Sequence, residues 1–141
     1  MSLPLKAGYA IAIFISDVRS FLAPRDRHCV IDNLKVIFPD KSEKEIKQIQ
    51  VRMFRNFAKY LVDFFRFETL DASYVKQHIK FENIRHFDDV LSKGKGAIGV
   101  TAHLGNWELA GVAMALSGYP VWAVALPHKN KKVNDFFNFQ E

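Results

Sequence analysis

Hydrophobic residues in the first half of the chain recur at helical spacing. A stretch beginning at Pro24 and bounded by Phe38-Pro39 predicts one helix, because proline suits a first turn and disfavours helical geometry in the residue before it. Ser42 followed by Glu45 is a capping-box pattern that opens a longer amphipathic helix. The apolar positions of that helix are Ile46, Ile49, Met53, Phe54, Phe57, Leu61 and Phe64. Its basic face carries Lys44, Lys47, Arg52, Arg55 and Lys59.

The N-terminal segment from Leu3 to Leu22 is apolar but is interrupted by three charged side chains. Its uninterrupted part, Ala7 to Ile15, is shorter than the roughly 20 residues that a spanning helix needs. The segment has no clear small-residue cleavage site of a signal peptide. Two interpretations remain open. One is a helix in the plane of a membrane with Arg25, Arg27 and His28 just beyond it, and the other is a buried helix of a soluble domain.

The second half of the chain changes its hydrophobic period. Short apolar runs rich in small and β-branched residues alternate with short helical patterns, and strand–helix–strand order is typical of a parallel sheet. The predicted strands are Ile79–Ile84, Ala97–Ala102 and Val121–Leu126, and the predicted helices are Phe87–Leu91, Asn106–Leu116 and Lys131–Phe139.

These elements predict an α/β fold within a single domain over residues 1–141. We expect a helical, membrane-proximal cap over residues 1–70. Residues 71–141 would then form the first part of a mainly parallel β-α-β sheet, the catalytic core. Because a sheet of two or three strands leaves its edges open, we expect the chain to be the N-terminal part of a longer protein.

Charge and cysteine content narrow the classes of partner. The formal charge of +5 permits attraction to an anionic membrane, a phosphorylated ligand or nucleic acid. No dense Lys/Arg block with interleaved aromatic residues is present, so nucleic acid is not expected. The single cysteine, Cys29, excludes an intramolecular disulfide and fits a reducing compartment.

The candidate chemistry lies directly after the run Ala97–Ala102, where ligands of open α/β sheets bind. His103 follows that run, Gly105 permits a tight turn, and Glu108 falls in the first turn of the next predicted helix. A neutral imidazole can take a proton from an attacking alcohol, and a carboxylate on its other nitrogen fixes the tautomer. A chance pairing of an unrelated His and Glu is the alternative.

Other catalytic patterns do not fit. The sequence has no second histidine at metal-ligand spacing and no Gly-x-Ser-x-Gly elbow. Gly94-Lys95-Gly96 precedes the predicted strand rather than following it, which favours a plain turn over a phosphate loop.

The segment His103-Leu104-Gly105-Asn106-Trp107-Glu108 resembles the His-x4-Asp/Glu motif of glycerolipid-type acyltransferases. Its form is similar to that of the lipid A biosynthesis (lauroyl/myristoyl) acyltransferase family. The likeness extends along nearly the whole chain. It includes Asn33-Leu34, Phe38-Pro39, Phe54-Arg55-Asn56-Phe57, Gly94-Lys95-Gly96-Ala97-Ile98, Glu108-Leu109-Ala110-Gly111, Gly118-Tyr119-Pro120 and Lys129-Asn130.

The resemblance implies a bacterial acyltransferase at the cytoplasmic face of the inner membrane. It implies an acyl-acyl carrier protein or acyl-CoA donor, a lipid A precursor or related glycolipid as acceptor, and no metal or bound cofactor. His103 would be the general base and Glu108 its catalytic partner. The substrate-binding residues would be Gly105, Asn106, Trp107, Lys129 and Asn130.

Two departures from the family qualify this picture. Many members have Arg-Pro where this sequence has Leu126-Pro127, and members are considerably longer than 141 residues. Two rival functions therefore stay open. One is acyl transfer to a lysophospholipid or another glycolipid, and the other is a non-catalytic membrane-binding fragment.

Overall fold

The computed structural model describes residues 3–124, 126–127, 129–132 and 134–135. The chain divides into two compact units, Met1–Arg66 (unit 1) and Phe67–Glu141 (unit 2). Unit 1 contains α1 (Leu5–Leu22), α2 (Pro24–Ile37) and α3 (Glu43–Phe64). Unit 2 contains a 3-10 turn (Phe67–Thr69), α4 (Ala72–His78), α5 (Arg85–Leu91) and α6 (Trp107–Leu116).

The helix boundaries predicted for unit 1 are confirmed. Proline opens α2 at its first position, and the helix ends where the Phe38 amide donates to the Leu34 carbonyl at 2.8 Å. The capping box of α3 is formed in full. The Glu45 amide donates to the Ser42 hydroxyl at 3.4 Å, and the Ser42 amide donates to the Glu45 carboxylate at 2.9 Å. Local side-chain chemistry therefore fixes where these helices begin and end.

Helix α1 packs closely along α3. A Cβ atom placed on Gly8 would lie 3.2 Å from a methyl carbon of Val62, so glycine permits the close approach. The Tyr9 hydroxyl donates to the Asp63 carboxylate. Farther along, Asp17 receives two hydrogen bonds from the Arg55 guanidinium, at 2.8 and 2.7 Å. These contacts hold one face of α1 against α3.

The core of unit 1 is small and contains one polar side chain. Its buried apolar residues are Leu34, Ile46, Ala58 and Phe64. Its buried polar residue is Gln50, which is only 2 % exposed. Its side-chain amide donates to the Ser20 hydroxyl at 3.4 Å, so this buried polar group links α3 to α1.

The amphipathic character predicted for α3 is confirmed, but its buried stripe differs from the predicted one. Met53 and Phe57 are 45 % and 55 % exposed. Ile46 and Phe64 of the predicted stripe are buried, and the other two buried positions of α3 are Gln50 and Ala58. Residues at three- and four-residue spacing form neighbouring stripes on one helix, and the packing of α1 and α2 selects which of them is covered.

For the N-terminal helix, the interpretation as a buried helix is wrong. No residue of α1 is buried. Among the described residues, no helix is both long enough and apolar enough to cross a membrane.

In unit 2, α4 and α6 pack together. Val75 of α4 and Ala113 of α6 are both buried. Asp71 caps α4 by accepting the Tyr74 amide at 2.7 Å. The helices predicted over Phe87–Leu91 and Asn106–Leu116 are present, as α5 and α6.

The predicted α/β fold is wrong for the residues that the structure describes, because they form helices and irregular segments and no strand. The second and third of the runs predicted as strands carry strongly exposed side chains, whereas Ile79, Phe81 and Ile84 of the first are half-buried. Ile98 and Val100 are 95 % and 94 % exposed, and Trp122 is 94 % exposed. A strand is stabilised by hydrogen bonds to a neighbouring strand, and apolar composition alone does not supply that neighbour.

The last predicted helix, over Lys131–Phe139, lies largely outside the described residues. Within them, the Asn134 amide donates to the Asn130 carbonyl at 2.9 Å, which is helical spacing.

Candidate active site

The backbone makes a tight turn at the predicted histidine. His103 has a φ of 53° and Gly105 a φ of 66°. Positive φ is uncommon for a residue with a side chain, although His, Asn and Asp tolerate it better than most. Glycine adopts this region without steric cost, which is why Gly105 suits the turn. The strained backbone at His103 is the kind of feature found at functional positions.

The imidazole of His103 contacts the indole of Trp107 in a tilted arrangement. The ring centroids lie 4.5 Å apart with a tilt of 32° between the planes. Trp107 is the first residue of α6, so the helix fixes the position of its backbone. His103 itself is exposed. The contact between the two rings therefore orients an accessible imidazole.

Asn106 sets the start of α6 and so positions the rest of the motif. Its side-chain oxygen accepts a hydrogen bond from the Leu109 amide at 3.0 Å, as an N-cap residue does. Glu108 then falls in the first turn of α6, as the sequence predicts, and is partly buried. A carboxylate is favourable there because it faces the positive end of the helix dipole.

Two of the predicted site residues are thus brought together directly, since His103 and Trp107 are in ring contact. Gly105 and Asn106 act through the backbone turn and the helix cap. The pairing of His103 with Glu108 stays a prediction.

Lys129 and Asn130 lie in a separate turn of unit 2. The Asn130 side-chain oxygen accepts the Lys132 amide at 3.0 Å. This bond, with the Asn134 amide on the Asn130 carbonyl, makes Asn130 a turn-forming residue. Lys129 is exposed, and its cation is open to solvent. Substrate contact by these two residues stays a prediction.

Within the described ranges, no three His, Cys, Asp or Glu side chains cluster in a way that would hold a metal ion.

The burial of Gln50 in unit 1 was not predicted from the sequence. Gln50 lines a cleft among the helices of that unit, together with Ser20, Arg27 and Lys35. In the sequence, the amide side chain of Gln50 looks like an interruption of the apolar stripe predicted for α3. Only the position of Ser20 in the folded unit explains its burial.

Comparison with known proteins places the chain in a family. Residues 2–140 match the family described as bacterial lipid A biosynthesis acyltransferase, and the chain belongs to that family. The predicted family is therefore confirmed.

Two curated relatives are similar to parts of the chain. A phosphatidylinositol mannoside acyltransferase of Mycolicibacterium smegmatis is 30 % identical over 70 residues, which are 50 % of this chain and 23 % of the relative. A lipid A biosynthesis acyltransferase of Haemophilus influenzae is 21 % identical over 112 residues, 79 % of this chain and 35 % of the relative. The matched part thus spans about a quarter to a third of each relative. No solved structure matches the chain.

Proposed function

We propose that this protein transfers a fatty acyl chain from acyl-acyl carrier protein or acyl-CoA to a hydroxyl group of a lipid A precursor or related glycolipid. Family membership supports the class of reaction. The observation that supports the assignment of residues is the turn at His103, where a positive φ and a tilted ring contact with Trp107 present an exposed, oriented imidazole.

In the proposed reaction, His103 takes the proton of the acceptor hydroxyl as that oxygen attacks the thioester carbonyl carbon. The tetrahedral intermediate then collapses, the carbon–sulfur bond breaks, and the departing sulfur takes the proton from the imidazolium. The products are an ester and a free thiol, and His103 returns to its neutral form. Such proton transfer contributes roughly a hundred- to ten-thousand-fold in rate. No resident cofactor takes part.

The neighbouring residues have supporting roles in this proposal. Glu108 hydrogen-bonds the second ring nitrogen of His103 and fixes its tautomer. Trp107 and Asn106 hold the site through the ring contact and the helix cap. Lys129 and Asn130 bind substrate, and the exposed cation of Lys129 suits a phosphate group.

We place the reaction at the cytoplasmic face of a bacterial inner membrane, where an acyl carrier protein and a membrane glycolipid meet. The excess positive charge of the chain supports this location, because the cytoplasmic leaflet is anionic.

The test is acyl transfer by His103→Ala and Glu108→Ala variants. We expect His103→Ala to lower the rate roughly a hundred- to ten-thousand-fold because the base is removed. Glu108→Ala should lower it as well. His78→Ala is the matched control, since His78 is also exposed and stacks on an aromatic ring, that of Tyr74, at 4.4 Å.

Both catalytic variants should keep the helical circular dichroism of the unsubstituted protein. A wild-type rate in either one would remove the assignment of that residue. A rate lost equally in His78→Ala would show that the effect is not specific to the site.

A second candidate acceptor is supported by the similarity to the mycolicibacterial relative, whose name specifies a mannosylated inositol lipid. Assaying one donor against a lipid A precursor, a lysophospholipid and a phosphatidylinositol mannoside would separate the acceptors. Absence of transfer to every acceptor would favour the non-catalytic, membrane-binding alternative.

A further inference from the structure

The cleft of unit 1 contains a buried polar atom that the rest of the unit leaves unpaired. Gln50 is 2 % exposed, and its side-chain nitrogen donates to the Ser20 hydroxyl at 3.4 Å. No donor among the described residues reaches the side-chain carbonyl oxygen of Gln50. Buried polar groups in proteins are nearly always hydrogen-bonded, so this oxygen is unusual. Because Gln50 lines the cleft, a bound ligand can supply the donor.

Ser20 also holds a cation at the cleft. Its backbone carbonyl accepts a hydrogen bond from the Arg27 guanidinium at 3.3 Å, which leaves other N–H groups of that guanidinium available. Arg27 is half-buried, and the ion pairs between described residues do not include it. A guanidinium with unused N–H groups suits an anionic group with several oxygens.

The other charged side chains leave the cleft slightly positive. Among the described residues, four Lys or Arg and three Asp or Glu side chains line it, which leaves a formal charge of +1. Asp17 is compensated by Arg55 at 2.7 Å. Glu43 lies 3.5 Å from the Lys35 ammonium and 4.0 Å from that of Lys47, so one carboxylate faces two cations. An anionic ligand is therefore favoured over a cationic one.

Charge is also divided unequally between the two units. Residues 1–66 hold twelve of the 20 Lys and Arg residues and seven of the 15 Asp and Glu residues, which leaves +5. Residues 67–141 hold eight of each and are neutral. The whole excess of positive charge therefore lies in the unit that carries the cleft.

The size and walls of the cleft suit a small molecule. Its volume is about 760 Å³. Small-molecule sites typically enclose roughly 300–1,000 Å³ and combine apolar walls with a few convergent polar groups. Ile31 of α2 and Ile46 and Val51 of α3 supply apolar surface here. Ser20, Arg27 and Gln50 supply the polar groups.

We infer that this cleft binds a small phosphate monoester that also carries an N–H or O–H group. The phosphate accepts hydrogen bonds from the Arg27 guanidinium and the Ser20 hydroxyl, and the N–H or O–H group donates to the Gln50 carbonyl oxygen. A phosphate is favoured over a carboxylate because its charge of about −1.5 to −2 and its additional oxygen can engage both donors. None of these residues belongs to the proposed active site, so the inference does not depend on the proposed reaction.

The test is calorimetric titration of the whole chain with N-acetylglucosamine 6-phosphate, which joins a phosphate to an amide N–H and hydroxyl groups. The comparison ligands are N-acetylglucosamine, which lacks the phosphate, and inorganic phosphate, which lacks the sugar and its amide. Each should bind at least about tenfold more weakly than the sugar phosphate, because each loses one set of hydrogen bonds. Absence of binding of the sugar phosphate at millimolar concentration would overturn the inference.

Substitutions locate the binding on the cleft. Arg27→Ala should weaken binding of the sugar phosphate roughly tenfold or more, since hydrogen bonds to a charged group are lost. Its control is Arg25→Ala, because Arg25 is exposed on the same helix and does not line the cleft. Gln50→Leu should weaken binding roughly five- to tenfold. Its control is Gln48→Leu, an exposed position of α3 outside the cleft. Both controls should bind within about twofold of the unsubstituted protein.

Stability distinguishes a ligand-binding Gln50 from a merely structural one. Gln50→Leu should leave the urea midpoint of unfolding unchanged or raise it, because an apolar side chain of similar size replaces an amide whose oxygen is unpaired. A lower midpoint with sugar-phosphate binding unchanged would assign Gln50 to packing and overturn the inference. Equal losses of binding in Arg25→Ala and Arg27→Ala would overturn it as well. If Gln50→Leu does not fold, the comparison of those two arginine variants decides the outcome alone.

Discussion

At the scale of single residues, the proposed chemistry depends on how one imidazole is held. His103 is exposed, and its backbone has a φ of 53°. The contact that fixes its ring comes from Trp107, whose own position follows from the Asn106 cap of α6. A turn, an aromatic face and a helix start thus act together on the residue that the proposed reaction uses as its base.

Trp107 should act as a positioning residue. We expect Trp107→Leu to lower kcat roughly three- to tenfold with a smaller change in KM, because aromatic pairs contribute about 0.5–1.5 kcal/mol beyond burial. Trp107→Phe should keep most of the rate, since a phenyl ring can still contact the His103 imidazole. Steady-state kinetics of the variants would measure this.

Trp122→Leu is the matched control, because Trp122 is the other tryptophan of the chain and is 94 % exposed. It should leave kcat unchanged. Equal kcat losses in Trp107→Phe and Trp107→Leu would contradict a role for the contact between the aromatic rings.

At the scale of elements, the packing of α1 on α3 has a charged contact at one end and a glycine at the other. Gly8 lets the helices approach at Val62, and the Arg55 guanidinium holds Asp17 through two hydrogen bonds. Hydrogen bonding from Arg55 lowers the pKa of Asp17, burial opposes this, and the charge of Arg55 adds to the lowering. The contact therefore depends on an ionised Asp17.

The stability of unit 1 should follow the ionisation of Asp17. Folding lowers the pKa of Asp17. The stabilisation that ionised Asp17 adds to the folded state is therefore fully present above the unfolded-state pKa, and it is lost as pH falls through the folded-state pKa. Asp17→Asn should lower the free energy of unfolding at neutral pH, and its difference from the unsubstituted protein should narrow as the pH becomes acidic. Urea denaturation at a series of pH values would measure both effects.

Asp40→Asn provides the comparison, since Asp40 is exposed and the ion pairs among the described residues do not include it. It should change stability little at any pH. A pH-independent difference for Asp17→Asn would show that the ion pair is not the cause.

At the scale of the whole molecule, the two units differ in how their apolar side chains are protected from solvent. Unit 1 has three helices around a shared core and holds all of the excess positive charge. In unit 2, the apolar runs around Ile98 and Trp122 lie open to solvent. Exposed apolar segments without hydrogen-bonded neighbours have little protection against local opening.

Hydrogen exchange should reveal this difference. Backbone amides of residues 97–102 should exchange much faster than those in the middle of α3, because the α3 amides are bonded within a helix. Mass spectrometry of peptides from the whole chain would measure both rates. Protection of residues 97–102 equal to that of α3 would show that these amides have strand partners.

Local interactions explain what the sequence by itself determined. The ends of α2, the capping box of α3 and the Asn106 start of α6 depend on residues three or four positions apart, so they are readable without a fold. The motif from His103 to Glu108 likewise indicated the family, which the match over residues 2–140 confirms.

Only the tertiary structure decided the features that require a distant partner. Gln50 is buried because Ser20 of α1 faces it, and Met53 and Phe57 stay exposed because α1 and α2 cover another stripe of α3. The run Ala97–Ala102 has strand composition, yet no neighbouring strand pairs with it among the described residues. Burial and strand pairing depend on which surfaces meet in three dimensions, and the periodicity of one segment does not specify them.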